Sequence, residues 1–320
     1  MKTQKYSLFI LLAGLLGFLE VSCDDVIQYE QPAVTMLSDA FNTPTDAIAS
    51  ATASYVPLMW ELGMTYAPEW WIGDVCSDDA LKGGENLSDM SSVYDMENFK
   101  TRSDNDVLLT FYRIQYMGAY RCNVAIENVG TMKPEIFKED PSIQKRVLGE
   151  VLFLRALYHF RLVRIFGGVP LADRILRLQS EWKQPRATEA ETYEMIYKDL
   201  KLAIQYLPEK SKYAPADLGR ATKGAARALL MKAYMNNHLY EEAKLQGDSI
   251  INSGEYSLVA DYNEQFTVEG ENGRESIFET QYIAEGSSAY EGNDGQLGYA
   301  RGTFTVVMTR PRWTNAPFGG

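Results

Sequence analysis

Cysteine and histidine are nearly absent from this 320-residue chain, which holds only Cys23, Cys76, Cys122, His159 and His238. No CxxC pair and no Cys/His cluster with metal-ligand spacing occurs, so a zinc site or a disulfide scaffold is not expected. Cys76 and Cys122, far apart in sequence, read as small buried hydrophobes rather than a disulfide. Positive charge is also short: 31 Lys and Arg stand against 43 Asp and Glu, a net charge of −12. Nucleic acid, whose phosphates require a basic footprint, is thereby excluded as a partner. The apolar run Ser7–Leu19 is too short for a membrane span, which takes about 20 residues. Neither a GxSxG elbow, an HExxH helix, a Walker loop nor a dinucleotide glycine fingerprint is present, so no enzyme, metal or cofactor is expected. Paired carboxylates for glycoside hydrolysis carry no weight among 43 acidic residues, because such pairs are assembled by the fold.

What the chain does have is apolar and aromatic mass. Hydrophobic residues make up 46%, with 20 Tyr, 13 Phe and 5 Trp, which serves core packing or a stacking surface. The richest segment is FLRALYHFRLVRIFGGVPL, Phe153–Leu171, a helix expected to stop at Gly167-Gly168. At 100° per residue Glu150, Arg161 and Arg164 share one face, whereas Arg155 and His159 fall among Leu148, Val151, Leu152, Leu162 and Phe166. An arginine in an apolar stripe has to be paired. Arg155 and His159 therefore read as buried structural polar residues, and Asp74, Asp78 and Asp79 as possible partners for Arg155.

Other helices announce themselves by their ends. Thr43-Pro44 opens one towards Leu62-Gly63. A second spans Asp106–Asn128 with Gly130 as its stop, and a third runs from Asp140-Pro141 to Gly167. Thr188 and Glu191 form a capping box for a fourth, ending at Leu207-Pro208. Ala221–Asn237 and Tyr240–Ser253 follow, the latter stopped by Gly254. Between them, residues 64–104 read as a long functional loop. Leu230, Tyr234, Tyr240 and Ala243 match the spacing of a tetratricopeptide helix pair, with Met231 where Gly or Ala is usual. The expected fold is mainly α, a tetratricopeptide-like superhelix or bundle over residues 39–254. Residues 255–320 read as the start of a loop-rich second domain, with strands at Tyr256–Val259 and Ser276–Ile283. The chain closes on Asn315-Ala316-Pro317-Phe318-Gly319-Gly320, and a missing C-terminal portion is expected.

The N-terminus reads as a leader. Lys2 and Lys5 precede Ser7–Leu19 in the manner of a secretory signal over residues 1–22. Val21-Ser22-Cys23 resembles the lipobox of bacterial lipoproteins, with Glu20 departing from it and the usual Leu displaced to Leu19. Cleavage there leaves a lipid-bearing Cys23, followed by a tether over residues 23–38; a plain secreted protein cut elsewhere is the alternative.

Two segments in order, FLRALYHFRLVRIFGGVPL and GRATKGAARALLMKAYM (Gly219–Met235), resemble the signature regions of the SusD/RagB family. GDVCSDDA (Gly73–Ala80), the Cys23-Asp24-Asp25 step and Arg121-Cys122-Asn123 within Tyr112–Asn128 fit the same pattern. The resemblance covers the chain, although members are longer. It implies a tetratricopeptide-like domain with a loop-rich domain laid against it, on an outer-membrane lipoprotein exposed at the surface. It further implies an oligosaccharide ligand, no catalysis, and a SusC-like TonB-dependent transporter as partner. The bland alternative is a helical-repeat scaffold that takes no small ligand. Sugar sites pair aromatic platforms with a few polar groups. Trp70 and Trp71 in the long loop and Trp313 near the end are the candidates, with Asp74, Asp78 and Asp79 near the first pair. Glycan contacts vary among members, so none is carried over from the family.

Overall fold

Thr43 starts the first helix among the described residues because its hydroxyl accepts the Asp46 N–H at 3.2 Å while the Asp46 carboxylate accepts the Thr43 N–H at 2.8 Å. This reciprocal cap, with Pro44 at the first helical position, opens α1, Pro44–Tyr55. The computed structural model describes residues 40–59, 69–84 and 86–282. Within them α1 tightens into a 3₁₀ turn at Val56–Met59 instead of continuing as α-helix. The expected long loop is interrupted by two short helices, α2 (Glu69–Gly73) and α3 (Ser91–Glu97). Both form because Trp71, Val93 and Met96 bury their side chains in a small core with Val75, Val107, Phe111 and Ile114.

Helix α4, Asp106–Thr131, is capped by the Asn105 side chain, which accepts the Leu108 N–H at 3.0 Å. It passes through Gly130 without stopping there. The break falls at Met132 and Lys133, both extended ahead of Pro134, since a residue before proline is pushed out of the helical region. Helix α5, Ser142–Phe166, ends as expected at Gly167, whose φ of 69° suits glycine. Gly168 answers a different need: a Cβ there would stand 2.1 Å from the Ala187 carbonyl oxygen. Thr188 and Glu191 form the anticipated capping box for α6, Glu189–Tyr206. Helices α7 (Lys223–Asn236) and α8 (Tyr240–Asn252) complete the series.

From α4 onward each helix packs on the next, and α1 lies against both α4 and α5. One large apolar core results, with Val147, Leu154, Tyr158, Ile196, Leu200 and Leu230 at its centre. The tetratricopeptide pair is recognisable in part: Leu230, Tyr234 and Ala243 are buried, whereas Tyr240 is exposed, its hydroxyl on the His238 ring at 2.8 Å. Met231 fits because Gly247 makes room, its sulfur lying 3.3 Å from where a Cβ would be. Within the α4–α5 contact Gly118 sits over the Tyr158 ring, with no room for a Cβ. The Tyr158 hydroxyl donates in turn to the Ser54 carbonyl of α1 at 2.7 Å.

Glu150 lies on the face of α5 expected to carry Arg161 and Arg164, yet it does not reach solvent. It is 0% exposed, bonded to Arg220 at 3.0 Å and to the Tyr55 hydroxyl at 3.0 Å, while Arg161 and Arg164 pair with Glu69 of α2. Arg220, from the turn before α7, and Arg146, one turn back on α5 at 3.9 Å, make the buried carboxylate tolerable, and a wheel drawn on α5 alone cannot show the first. The expected strands do not form among the described residues. In place of a ladder, one main-chain bond joins Ser257 to Arg274, and the Glu275 side chain takes the Val259 N–H. Ile277 and Phe278 dock instead on the helical core, Phe278 edge-on to Phe153 at 5.0 Å.

Substitution Gly118→Ala would place a Cβ 2.3 Å from the Tyr158 ring. Despite the better helix propensity of alanine, it should lower stability by about 1–3 kcal/mol, read from urea unfolding.

Candidate functional site

Arg155 is 7% exposed, and each of its guanidinium nitrogens is bonded. Its Nε and Nη2 donate to the two oxygens of Asp199 on α6, each at 2.7 Å. Nη1 donates to Asn123 Oδ1 at 2.9 Å and to the Asp173 carbonyl at 3.0 Å. Burial disfavours its charge, but the facing Asp199 carboxylate outweighs this and its pKa moves upward. The partners are therefore not Asp74, Asp78 and Asp79, which are exposed. Docking of α6 on α5 brings Asp199 to the spot, a contact that lies 44 residues away in sequence.

His159, one turn on, is equally buried. Its Nδ1–H donates to the Arg155 carbonyl at 2.9 Å, and Nε2 has no hydrogen-bond partner among the described residues. Burial lowers its pKa, so the ring is neutral.

Asn123 passes the arrangement outward. Its amide donates to the carbonyls of Ala172 and Arg174 at 2.7 and 3.2 Å, the first stretch of the connector from α5 to α6. Glu127, one turn further along α4, accepts the Ile175 N–H and takes Arg177 at 2.8 Å. The Tyr116 hydroxyl donates to the Pro170 carbonyl at 2.6 Å, and Arg174 pairs with Glu181 at 2.8 Å. The connector is thus bolted along α4, and the two enclose a cleft of about 290 Å³. Tyr116, Tyr120 and Asn123 line it from the helix, and Arg174, Leu176 and Trp182 from the connector. Trp182 is 63% exposed and Tyr120 53%.

The residues singled out from sequence fall elsewhere. Trp71 is 2% exposed, inside the small core. Trp70 stands edge-on to it at 5.8 Å, partly buried against the same core, and its indole N–H has no partner among the described residues. Trp313 and Cys23 lie outside the described residues. Trp182 was missed, although a single tryptophan in the polar run Gln179–Gln184 is a visible signal. Tyr120 was missed because its helix position says nothing about the connector beside it. Among the described residues no group of three or more His, Cys, Asp or Glu is placed to hold a metal ion.

A helical scaffold of this order, with apolar helices packed in sequence, belongs to the class of tetratricopeptide-like helical folds. The chain is a member of the SusD-like family, whose profile, described as starch-binding associating with outer membrane, matches residues 66–235. It is 26% identical to SusD-like protein P2 of Formosa agariphila over 92% of this chain and 56% of that protein. Surface glycan-binding protein A from Bacteroides thetaiotaomicron, solved with laminarihexaose, superposes with a TM-score of 0.68 at 25% identity, covering 80% of this chain and 53% of that one. A laminarin-binding SusD-like protein superposes with a TM-score of 0.67 at 27% identity, over 74% and 51% of the respective chains. The chain thus spans about half the length of the relatives it matches.

Removal of the Asp199 carboxylate in Asp199→Ala strands a buried guanidinium and should cost about 3–5 kcal/mol in urea unfolding. The double variant Arg155→Met/Asp199→Leu, which leaves no unpaired charge, should recover much of that. For His159 the sign follows from its depressed pKa. Below the ordinary value of 6.5 the unfolded chain takes up a proton that the folded chain refuses, so stability falls as pH drops. The slope is at most about 1.4 kcal/mol per pH unit. His159→Gln should therefore lose less stability than the parent between pH 7 and 5.5, as measured by denaturant midpoints at each pH.

Proposed function

We propose that the chain belongs to a surface lipoprotein that captures glycans without transforming them and hands them to a SusC-like TonB-dependent transporter in the outer membrane. The observation that carries this reading is the superposition of its helical scaffold on proteins named for binding glycan, one of them holding laminarihexaose. Membership of a family described as starch-binding and outer-membrane-associated supports it. The basic and apolar leader ending at Cys23 supports lipid anchoring. Sugars offer apolar C–H faces rimmed by hydroxyls, and exposed aromatic rings beside a few polar groups are the chemistry that meets them.

Native affinity electrophoresis through gels containing laminarin or starch tests the reading. Retardation of the chain with no released sugar is the expected result. Product formation would show an enzyme instead, and free migration in every polysaccharide would leave only a helical scaffold.

A further inference from the structure

Beyond the general capacity to bind glycan, we infer that the cleft between α4 and the connector Ala172–Trp182 is itself a carbohydrate subsite, with Trp182 and Tyr120 as its stacking platforms. The inference rests on the glycan reading above and assigns it a place on the helical part of the molecule. Four observations converge there. Two large aromatic side chains, on separate elements, are more than half exposed beside one cavity. Leaving such rings in water forgoes most of the stabilisation their burial would bring. The cavity, at about 290 Å³, lies at the lower end of the roughly 300–1,000 Å³ typical of small-ligand sites.

Its rim is polar. The Arg174 guanidinium is half exposed, and its pairing with Glu181 orients it while leaving other N–H groups to donate to hydroxyls. The walls are also set in advance. Pro170, Ala172, Arg174, Ile175 and Arg177 are each tied to Tyr116, Asn123 or Glu127 of α4. A ligand entering the cleft therefore does not have to order the connector, which removes a large part of the usual entropic penalty. A small concave site with a charged lip suits a sugar ring better than a protein surface, which is met by a broad patch with an apolar centre.

Calorimetric titration of the full 320-residue chain with laminarihexaose, maltohexaose, xylohexaose and mannohexaose provides the test, alongside the Trp182→Ala, Trp182→Tyr and Tyr120→Ala variants. Trp182→Ala should weaken binding of the recognised hexaose about tenfold, equivalent to about 1.4 kcal/mol, while Trp182→Tyr keeps most of the affinity. Indole emission should shift on titration of the parent and lose that response in Trp182→Ala. Undiminished binding by both alanine variants would overturn the subsite and leave the glycan reading standing. Failure of the parent to bind any of the four would bring down both. Loss of association with a TonB-dependent transporter, with sugar affinity intact, would make the cleft a protein contact and overturn the subsite too.

Discussion

A buried guanidinium has few ways to be stable, and Arg155 uses a demanding one. Its bidentate contact with Asp199 fixes how α6 lies on α5, because both oxygens must meet both nitrogens at 2.7 Å. The remaining nitrogen reaches Asn123 on α4 and the Asp173 carbonyl in the connector. One side chain therefore sets the relative placement of three helices and a loop. Such pairs add little net stability compared with apolar packing, yet removing one partner is severe. Their value here is geometric, since this docking gives every guanidinium nitrogen a partner. The apolar contacts of Leu154, Tyr158, Ile196 and Leu200 supply the driving force, and Arg155 selects among the ways they could pack.

From that constraint the surface follows. Asn123 relays the position of Arg155 to the carbonyls of Ala172 and Arg174, and Glu127 holds the next turn of the connector. The aromatic cleft is what remains between helix and connector once these bonds are made. Most of Phe153–Leu171 is thus buried spine, Arg164 with Glu69 aside, and this relay ties it to the cleft.

Much of this architecture was legible in the sequence because helix ends are local. Thr43 with Pro44, Thr188 with Glu191, and Gly167 each act on groups within four residues, so their chemistry can be read directly. The need of Arg155 for a partner was legible too, from the apolar stripe around it. The identity of that partner was not, because Asp199 comes from a helix 44 residues on. The same holds for Glu150, whose burial depends on Arg220. Strand propensity in Tyr256–Val259 gave way to side-chain docking and single bonds, because no neighbouring strand among the described residues continues a ladder. The cleft was hidden for a related reason: neither Tyr120 nor Trp182 carries a pattern by itself, and only the folded connector sets them beside one cavity.

The close approach at Gly168 has a further consequence. Its backbone lies against Ala187–Glu189, the Ala187 N–H donates to the Val169 carbonyl at 3.2 Å, and Arg186 bonds back to the Phe166 and Gly168 carbonyls. The connector therefore leaves α5 and enters α6 through a common neck, in the manner of an Ω-loop. Because its ends are already joined, a change in length beyond Arg177, the last connector residue bonded to α4, adds only the slowly growing entropy of a longer loop and does not pull on either helix. The stretch from Leu178 to Pro185, which bears Trp182, is in this sense an exchangeable cassette, open to change while the spine beneath it stays the same.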